Sequence, residues 1–188
     1  MNTNAIRPKA AIRSLVIALA AAVLPVAAAT TSADAAPTCG IRWGSTAKSA
    51  TPMVAGPVTG VRAGRHACYD RLVIDLRGRA PGYTVRYVDA VHTEGAGTVV
   101  PLRGGARLEV VVKAPVTTAA GTAAYRPANP REAVQVTGWS TLRQVAYAGS
   151  FEGQTTFGVG VRARLPFRAF TIQDSTGSRL VVDVAHRW

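Results

Sequence analysis

Histidine and acidic residues are the scarce materials of this sequence. It holds three histidines, His66, His92 and His186, and ten Asp plus Glu against 22 Lys plus Arg. A zinc hydrolase needs a His/Glu ligand set around an open metal position. No HExxH spacing occurs, and "VHTEG" at 91–95 supplies one His and one Glu. An α/β serine hydrolase needs G-x-S-x-G; "AGSFEG" around Ser150 is G-S-F-E-G, which with Glu152 is expected to be a hairpin turn. Glycoside hydrolysis needs two carboxylates across a cleft. Asp70, Asp75, Asp89, Glu94, Glu109, Glu132, Glu152, Asp174 and Asp183 offer the groups, but no motif selects a pair. "GVGVR" and "RGGAR" lack the following helix that a phosphate-cradling glycine loop opens. These absences point away from an enzyme and imply neither a cofactor nor a metal.

Lysine is also rare, and long hydrophobic runs are confined to the beginning. Arg7, Lys9 and Arg13 precede the apolar run "SLVIALAAAVLPVAAA" (residues 14–29), and small residues, the best pattern being "ADA" at 33–35, follow it. Charged, apolar and small-residue regions in that order describe a secretory signal peptide over residues 1–35, too short in its core for a membrane span and removed on export. The product is expected to be secreted or cell-wall associated, with no transmembrane segment after processing. Cleavage after Ala35 leaves 153 residues, enough for one domain with a real core. The removed segment carries three cations and one acid, so the overall charge of +12 becomes +10, and 17 of the 19 remaining cations are Arg. Outside the membrane a basic surface meets lipid head groups, anionic wall polymers and peptidoglycan carboxylates, not nucleic acid.

Cys39 and Cys68 are the two cysteines. In an oxidising compartment they are expected to form one disulfide. Two metal-bound thiols would need companions at a usual spacing, and none is present. Such a bond also explains Cys68 better than a nucleophile beside His66 does. It would tie a flexible segment, residues 36–56, onto the body.

No segment after residue 35 shows a helical apolar stripe. Instead come short, period-two, β-branched runs punctuated by Gly and Pro: "PVTGVRAG", "RLVIDL", "YTVRYVDAV", "TVVPL", "RLEVVV", "EAVQVTGW", "LRQVAYAGSF", "QTTFGVGVRARL", "FRAFTI" and "RLVVDV". This predicts an all-β fold, a single β-sandwich domain of about nine to eleven short strands. One ribbon occurs twice, "DRLVIDL" at 70–76 and "SRLVVDV" at 178–184. Alternation places Leu72, Ile74 and Leu76 on one face and Asp75 on the other; Asp183 likewise opposes Leu180, Val182 and Val184. Two roles follow for these acids: satisfying turn backbone or a nearby Arg, or facing each other across a site. The first is the commoner solution at strand ends.

The two ribbons, with "GRH.CYDRLVIDL", "PGY.VRYV", "AGSFEGQTTFG.GVR" and "RLVVDVAH" between and around them, resemble the AMIN-like domain of secreted actinobacterial proteins over about Val58 to His186, within a domain at 57–188. The resemblance implies a β-sandwich. Through the related AMIN domain it also implies a non-catalytic module that binds peptidoglycan. The insertion between the ribbons is longer than in the short AMIN domain.

For wall glycan or an anionic wall polymer, the chemistry is aromatic faces for sugar rings and Arg for anions. Candidate ligand-binding residues are Trp43, Trp139, Tyr87 and Tyr147 with Arg62, Arg65 and Arg143. Trp43 could equally pack beside the disulfide, and Trp139 could end a strand as core. "GRHACYD" is the densest polar cluster, looks more like loop than strand, and nominates Arg65, His66 and Asp70 as a functional edge. The alternative is a secreted protein partner, an inhibitor or accessory subunit, contacted through a disulfide-stapled loop.

Overall fold

The computed structural model describes residues 39–188, so the signal-peptide expectation lies outside the described residues. Eleven strands make up the described fold: β1 (Lys48–Ala50), β2 (Val58–Arg65), β3 (Tyr69–Leu76), β4 (Tyr83–Val88), β5 (Val91–His92), β6 (Val99–Val100), β7 (Ala106–Val112), β8 (Leu142–Phe151), β9 (Gln154–Val161), β10 (Phe167–Asp174) and β11 (Gly177–Ala185). Every pairing is antiparallel. One sheet runs β1-β4-β7-β9-β8, a second runs β10-β11-β3-β2, and β5 and β6 form a small ribbon. The all-β expectation holds.

Alternation builds the sandwich. Leu72, Ile74, Leu180, Val182 and Val184 from one sheet meet Val85, Leu108, Val110, Phe157 and Val159 from the other in one core. Phe157 and Phe167, both fully buried, contribute roughly 2–3 kcal/mol each by leaving water. Two tyrosines of β4 tie the layers together: the Tyr83 hydroxyl donates to the Ala169 carbonyl and the Tyr87 hydroxyl to the Leu165 carbonyl, each at 2.8 Å.

β9 is buried almost end to end because its second face is covered as well. Gly158 leaves room for Leu102 and Val91, and a Cβ at Gly160 would strike the Arg103 backbone. The "GVGV" pattern thus makes space for a covering loop.

Three local expectations change. Lys48–Ala50, taken as connector, is a short edge strand on β4. "EAVQVTGW" is no strand: it follows from a 3-10 turn at Pro130–Glu132, capped by Asn129, and makes one backbone bond to β8, Ala133 N to Val145 O at 2.8 Å. Its alternation reflects packing on an edge. "GRHACYD" is mostly strand, with only residues 66–68 forming the turn between β2 and β3.

Burial also shapes the tyrosines. The buried Tyr125 hydroxyl has no hydrogen-bond partner, and burial, with Tyr147 adding to it, pushes its pKa up to about 12. Burial raises Tyr83, Tyr87 and Tyr147 too. A tyrosine that keeps its proton longer when folded stabilises fully below the ordinary value of about 10 and loses that contribution as pH climbs through the folded value. The urea midpoint should therefore fall between pH 10 and 12, and Tyr125→Phe should flatten part of the fall. A midpoint with the same pH dependence in both proteins would contradict this assignment.

Candidate arginine and aromatic binding surface

The repeated ribbon becomes intelligible on the outer face of the four-stranded sheet. β3 and β11 are neighbours, and their register sets Val73 opposite Val181. Two residues to either side, Arg71 faces Asp183 and Asp75 faces Arg179. R-x-V-x-D is therefore self-complementary when two copies pair antiparallel. The flanking strands supply a second guanidinium to each acid. Arg168 of β10 lies opposite Asp183, and Arg62 of β2 reaches Asp75.

The bonds are charge-assisted and forked. Arg71 donates from Nε to Asp183 Oδ1 at 2.6 Å and from Nη2 to Oδ2 at 2.9 Å; Arg168 Nε donates to Oδ2 at 2.8 Å. Arg62 grips Asp75 at 2.8 and 3.0 Å, and Arg179 stands 3.8 Å away. These hydrogen bonds push the Arg62 and Arg71 pKa values upward. Of the two roles weighed for the acids, partnership with Arg is the one both adopt.

The two ends of this array differ. At the Asp75 end Arg179 also pairs with Asp174, so two cations meet two anions in the open, with Arg62 57% and Asp75 29% exposed. At the other end Asp183 is fully buried beneath Arg71 and Arg168, whose side chains remain 24% and 40% exposed. One anion meets two cations there, and rings surround them. Arg168 lies 4.4 Å from the Trp43 ring, 5.7 Å from Tyr69 and 5.1 Å from Phe170. Arg71 is 5.4 Å from Tyr69. Trp43 meets Tyr69 edge-on, and His66 stacks on Tyr69 at 4.4 Å.

The strap carrying Trp43 is fastened twice. Cys39 and Cys68 are disulfide-bonded, with Cα atoms 5.6 Å apart, and Phe167 N donates to Gly44 O at 2.9 Å. The result is a rigid, cationic, partly apolar surface with guanidinium donors left over: Arg168 has only Nε engaged by Asp183.

Of the residues nominated from sequence, Trp43 and His66 fall in this cluster. Arg65, Trp139 and Arg143 form a second group, where β2 ends and the chain enters β8. There Arg65 sits 5.2 Å over the Trp139 ring, and Arg143 donates to the Trp139 carbonyl. Asp70 does not reach a surface edge. It shares the inward parity of Leu72 and is fully buried; its Oδ2 accepts the Thr141 and Leu142 amides at 2.7 and 3.0 Å, and its Oδ1 stands 3.1 Å from His186 Nε2. Tyr87 spends its hydroxyl on Leu165, donating to O and accepting from N, and packs against Phe167 and Arg164 rather than within either group. Tyr147 packs against Tyr125 and Phe157, and Arg62 belongs to the Asp75 end. Tyr69, Arg71, Arg168 and Phe170 were not nominated. The parity that placed Asp75 outward also places Tyr69 and Arg71 outward; the β10 residues follow only from register.

Among the described residues no three His, Cys, Asp or Glu side chains converge as a metal site would require, and no helix is long and apolar enough to cross a membrane. A family model described as the AMIN-like domain matches residues 56–186. No curated protein and no solved structure matches the chain.

Two substitutions separate the ends of the array. Asp183→Asn leaves two guanidiniums over a buried neutral amide and should cost about 2–4 kcal/mol in urea unfolding, discounted for the partial exposure of both arginines. Asp75→Asn, at the open end, should cost about 1 kcal/mol or less. Equal costs would show that burial does not distinguish them. The Cys39→Ser/Cys68→Ser variant should lose about 3 kcal/mol together with near-ultraviolet circular dichroism from Trp43. An unchanged spectrum and midpoint would mean that the strap is held without the bond.

Proposed function

This chain belongs to the AMIN-like domain family, and from that membership we propose that it is a non-catalytic cell-envelope module that binds peptidoglycan through the outer face of the four-stranded sheet. The ligand class comes from the related AMIN domain, whose peptidoglycan binding the family membership suggests here. The observation that supports a location is the Asp183-anchored pair Arg71 and Arg168 set among Trp43, Tyr69 and Phe170.

The chemistry suits that ligand. Pyranose rings present C–H faces to aromatic edges and faces, while lactyl and peptide carboxylates accept forked bonds from guanidinium. Asp183 holds both arginines in place, so little side-chain entropy remains to be lost on binding. A signal-like segment at 1–35 supports this reading, since export would bring the module to the polymer outside the cell.

The test is co-sedimentation of the purified protein with sacculi stripped of anionic polymers, at low and high salt. Binding that survives stripping is expected. Trp43→Ala and Arg168→Gln should each weaken it about tenfold, the equivalent of roughly 1.4 kcal/mol. Absence of binding in every condition would overturn the proposal and favour a secreted protein partner.

A further inference from the structure

Arg62, Arg71, Arg86, Arg103, Arg168 and Arg179 all face carboxylates. Exposed arginines such as Arg77 and Arg126 are dispersed on separate loops. A third kind is oriented by carbonyls or rings; Arg164 lies against Ser45 and the Tyr87 ring, and three others gather at one place. Arg65, Arg143 and Arg162 converge on the turn that leads into β8, and none has a carboxylate partner among the described residues. Arg65 lies 5.2 Å over the Trp139 ring, and its Nη2 is 3.9 Å from where a Cβ at Gly138 would sit. Arg143 Nη1 donates to the Trp139 carbonyl. Arg162 donates from Nε to the Ser140 carbonyl at 3.2 Å and from Nη2 to the His186 carbonyl.

The acids around this turn pair with none of the three arginines. Asp70 lies directly beneath it, but both oxygens are turned inward to the Thr141 and Leu142 amides and to His186. Glu132 borders the adjoining groove and is held by Arg103 at 2.6 Å, which also donates to the Arg143 carbonyl at 3.1 Å. A carbonyl orients a guanidinium without neutralising it. Arg143 and Arg162 are thus oriented by carbonyls and Arg65 by the Trp139 ring, each with spare N–H donors and no paired carboxylate. Three guanidiniums outnumber the one carboxylate beneath them, an imbalance that an added anion relieves.

We propose that the Trp139–Ser140 turn, with Arg65, Arg143 and Arg162, is a binding site for a flexible linear polyanion whose successive phosphate or carboxylate groups engage successive guanidiniums. This site shares no side chain with the proposed glycan surface around Trp43.

The test titrates the full protein with polyphosphate and with poly-glutamate at several salt concentrations. Replacing the cluster (Arg65→Gln, Arg143→Gln and Arg162→Gln together) should weaken binding at least thirtyfold at low salt. The slope of log K against log salt should fall by about 2, as for the loss of three phosphate contacts. A matched triple removing the same charge elsewhere, Arg77→Gln, Arg107→Gln and Arg126→Gln, should change affinity less than threefold. Tighter binding of one polymer identifies the anion as phosphate or carboxylate. Equal losses in both triples, or no saturable binding of either polymer to the parent protein, would overturn the site.

A readout without any change at the turn guards against misfolding of the cluster variant. In Trp43→Phe/Trp188→Phe protein, Trp139 is the single tryptophan, and its fluorescence should change saturably on adding the tighter-binding polymer; a flat signal would overturn the proposal. The two readings fail separately. The cluster variant should still sediment with stripped sacculi, whereas Trp43→Ala should still bind the polymer.

Discussion

The buried carboxylate of Asp183 is the constraint on which the outer face of this sandwich depends. An acid with no exposure on the outward side of a sheet is tolerable only if it is paired and hydrogen-bonded, since the desolvation of an isolated charge amounts to several kcal/mol. Two guanidiniums meet that condition, one from β3 and one from β10. In doing so Asp183 fixes two long side chains that would otherwise sweep solvent, and those chains in turn set the positions of Trp43, Tyr69 and Phe170. The surface is therefore organised from the inside outward. A short acid determines where the long cations stand, and the cations determine where rings can stack.

Asp70 plays the corresponding part on the inner side of the same strand. It is one residue from Arg71, points the opposite way, and accepts the amides of residues 141 and 142. The turn bearing Trp139 is thereby pinned to β3 rather than left to the loop's own preferences. The Cys39–Cys68 bond fastens the Trp43 strap at the same end of the sheet. Three covalent or charge-assisted fixtures thus fall between residues 68 and 71, and each holds a different segment. That concentration explains why the polar cluster "GRHACYD" stands out in the sequence although much of it is not itself surface.

How far this was legible follows from physical range. Period-two alternation is local, so the strands carrying the repeated ribbon, their inward leucines and their outward Asp75 and Asp183 could be placed from sequence. The same alternation puts Asp70 with Leu72 inside, although the density of polar groups around it in sequence resembles that of a surface edge. Pairing of β3 with β11 is not local: more than a hundred residues separate them, and only their register reveals that Arg71 meets Asp183 and Arg179 meets Asp75. Arg168 could not be nominated for the same reason. "EAVQVTGW" misled because a segment packed on a sheet edge buries alternate residues just as a strand does, without the ladder bonds. Lys48–Ala50 is too short for any period to show.

The scarcity of acid is what gives the surface its differentiated charge. With ten carboxylates for 22 cations, pairing cannot be general, and the fold allocates its acids unevenly. On the sheet face the acids sit among arginines and draw them into fixed, largely compensated arrays. Around the Trp139–Ser140 turn the nearest acid is turned inward, and backbone carbonyls take over the task of orientation. A carbonyl carries only a partial charge, so orientation there does not bring neutralisation. Long-range attraction for anions therefore resides where carbonyls hold the arginines, and short-range, ring-assisted contact where Asp183 does. One residue type, placed against two kinds of acceptor, yields two surfaces of different charge character.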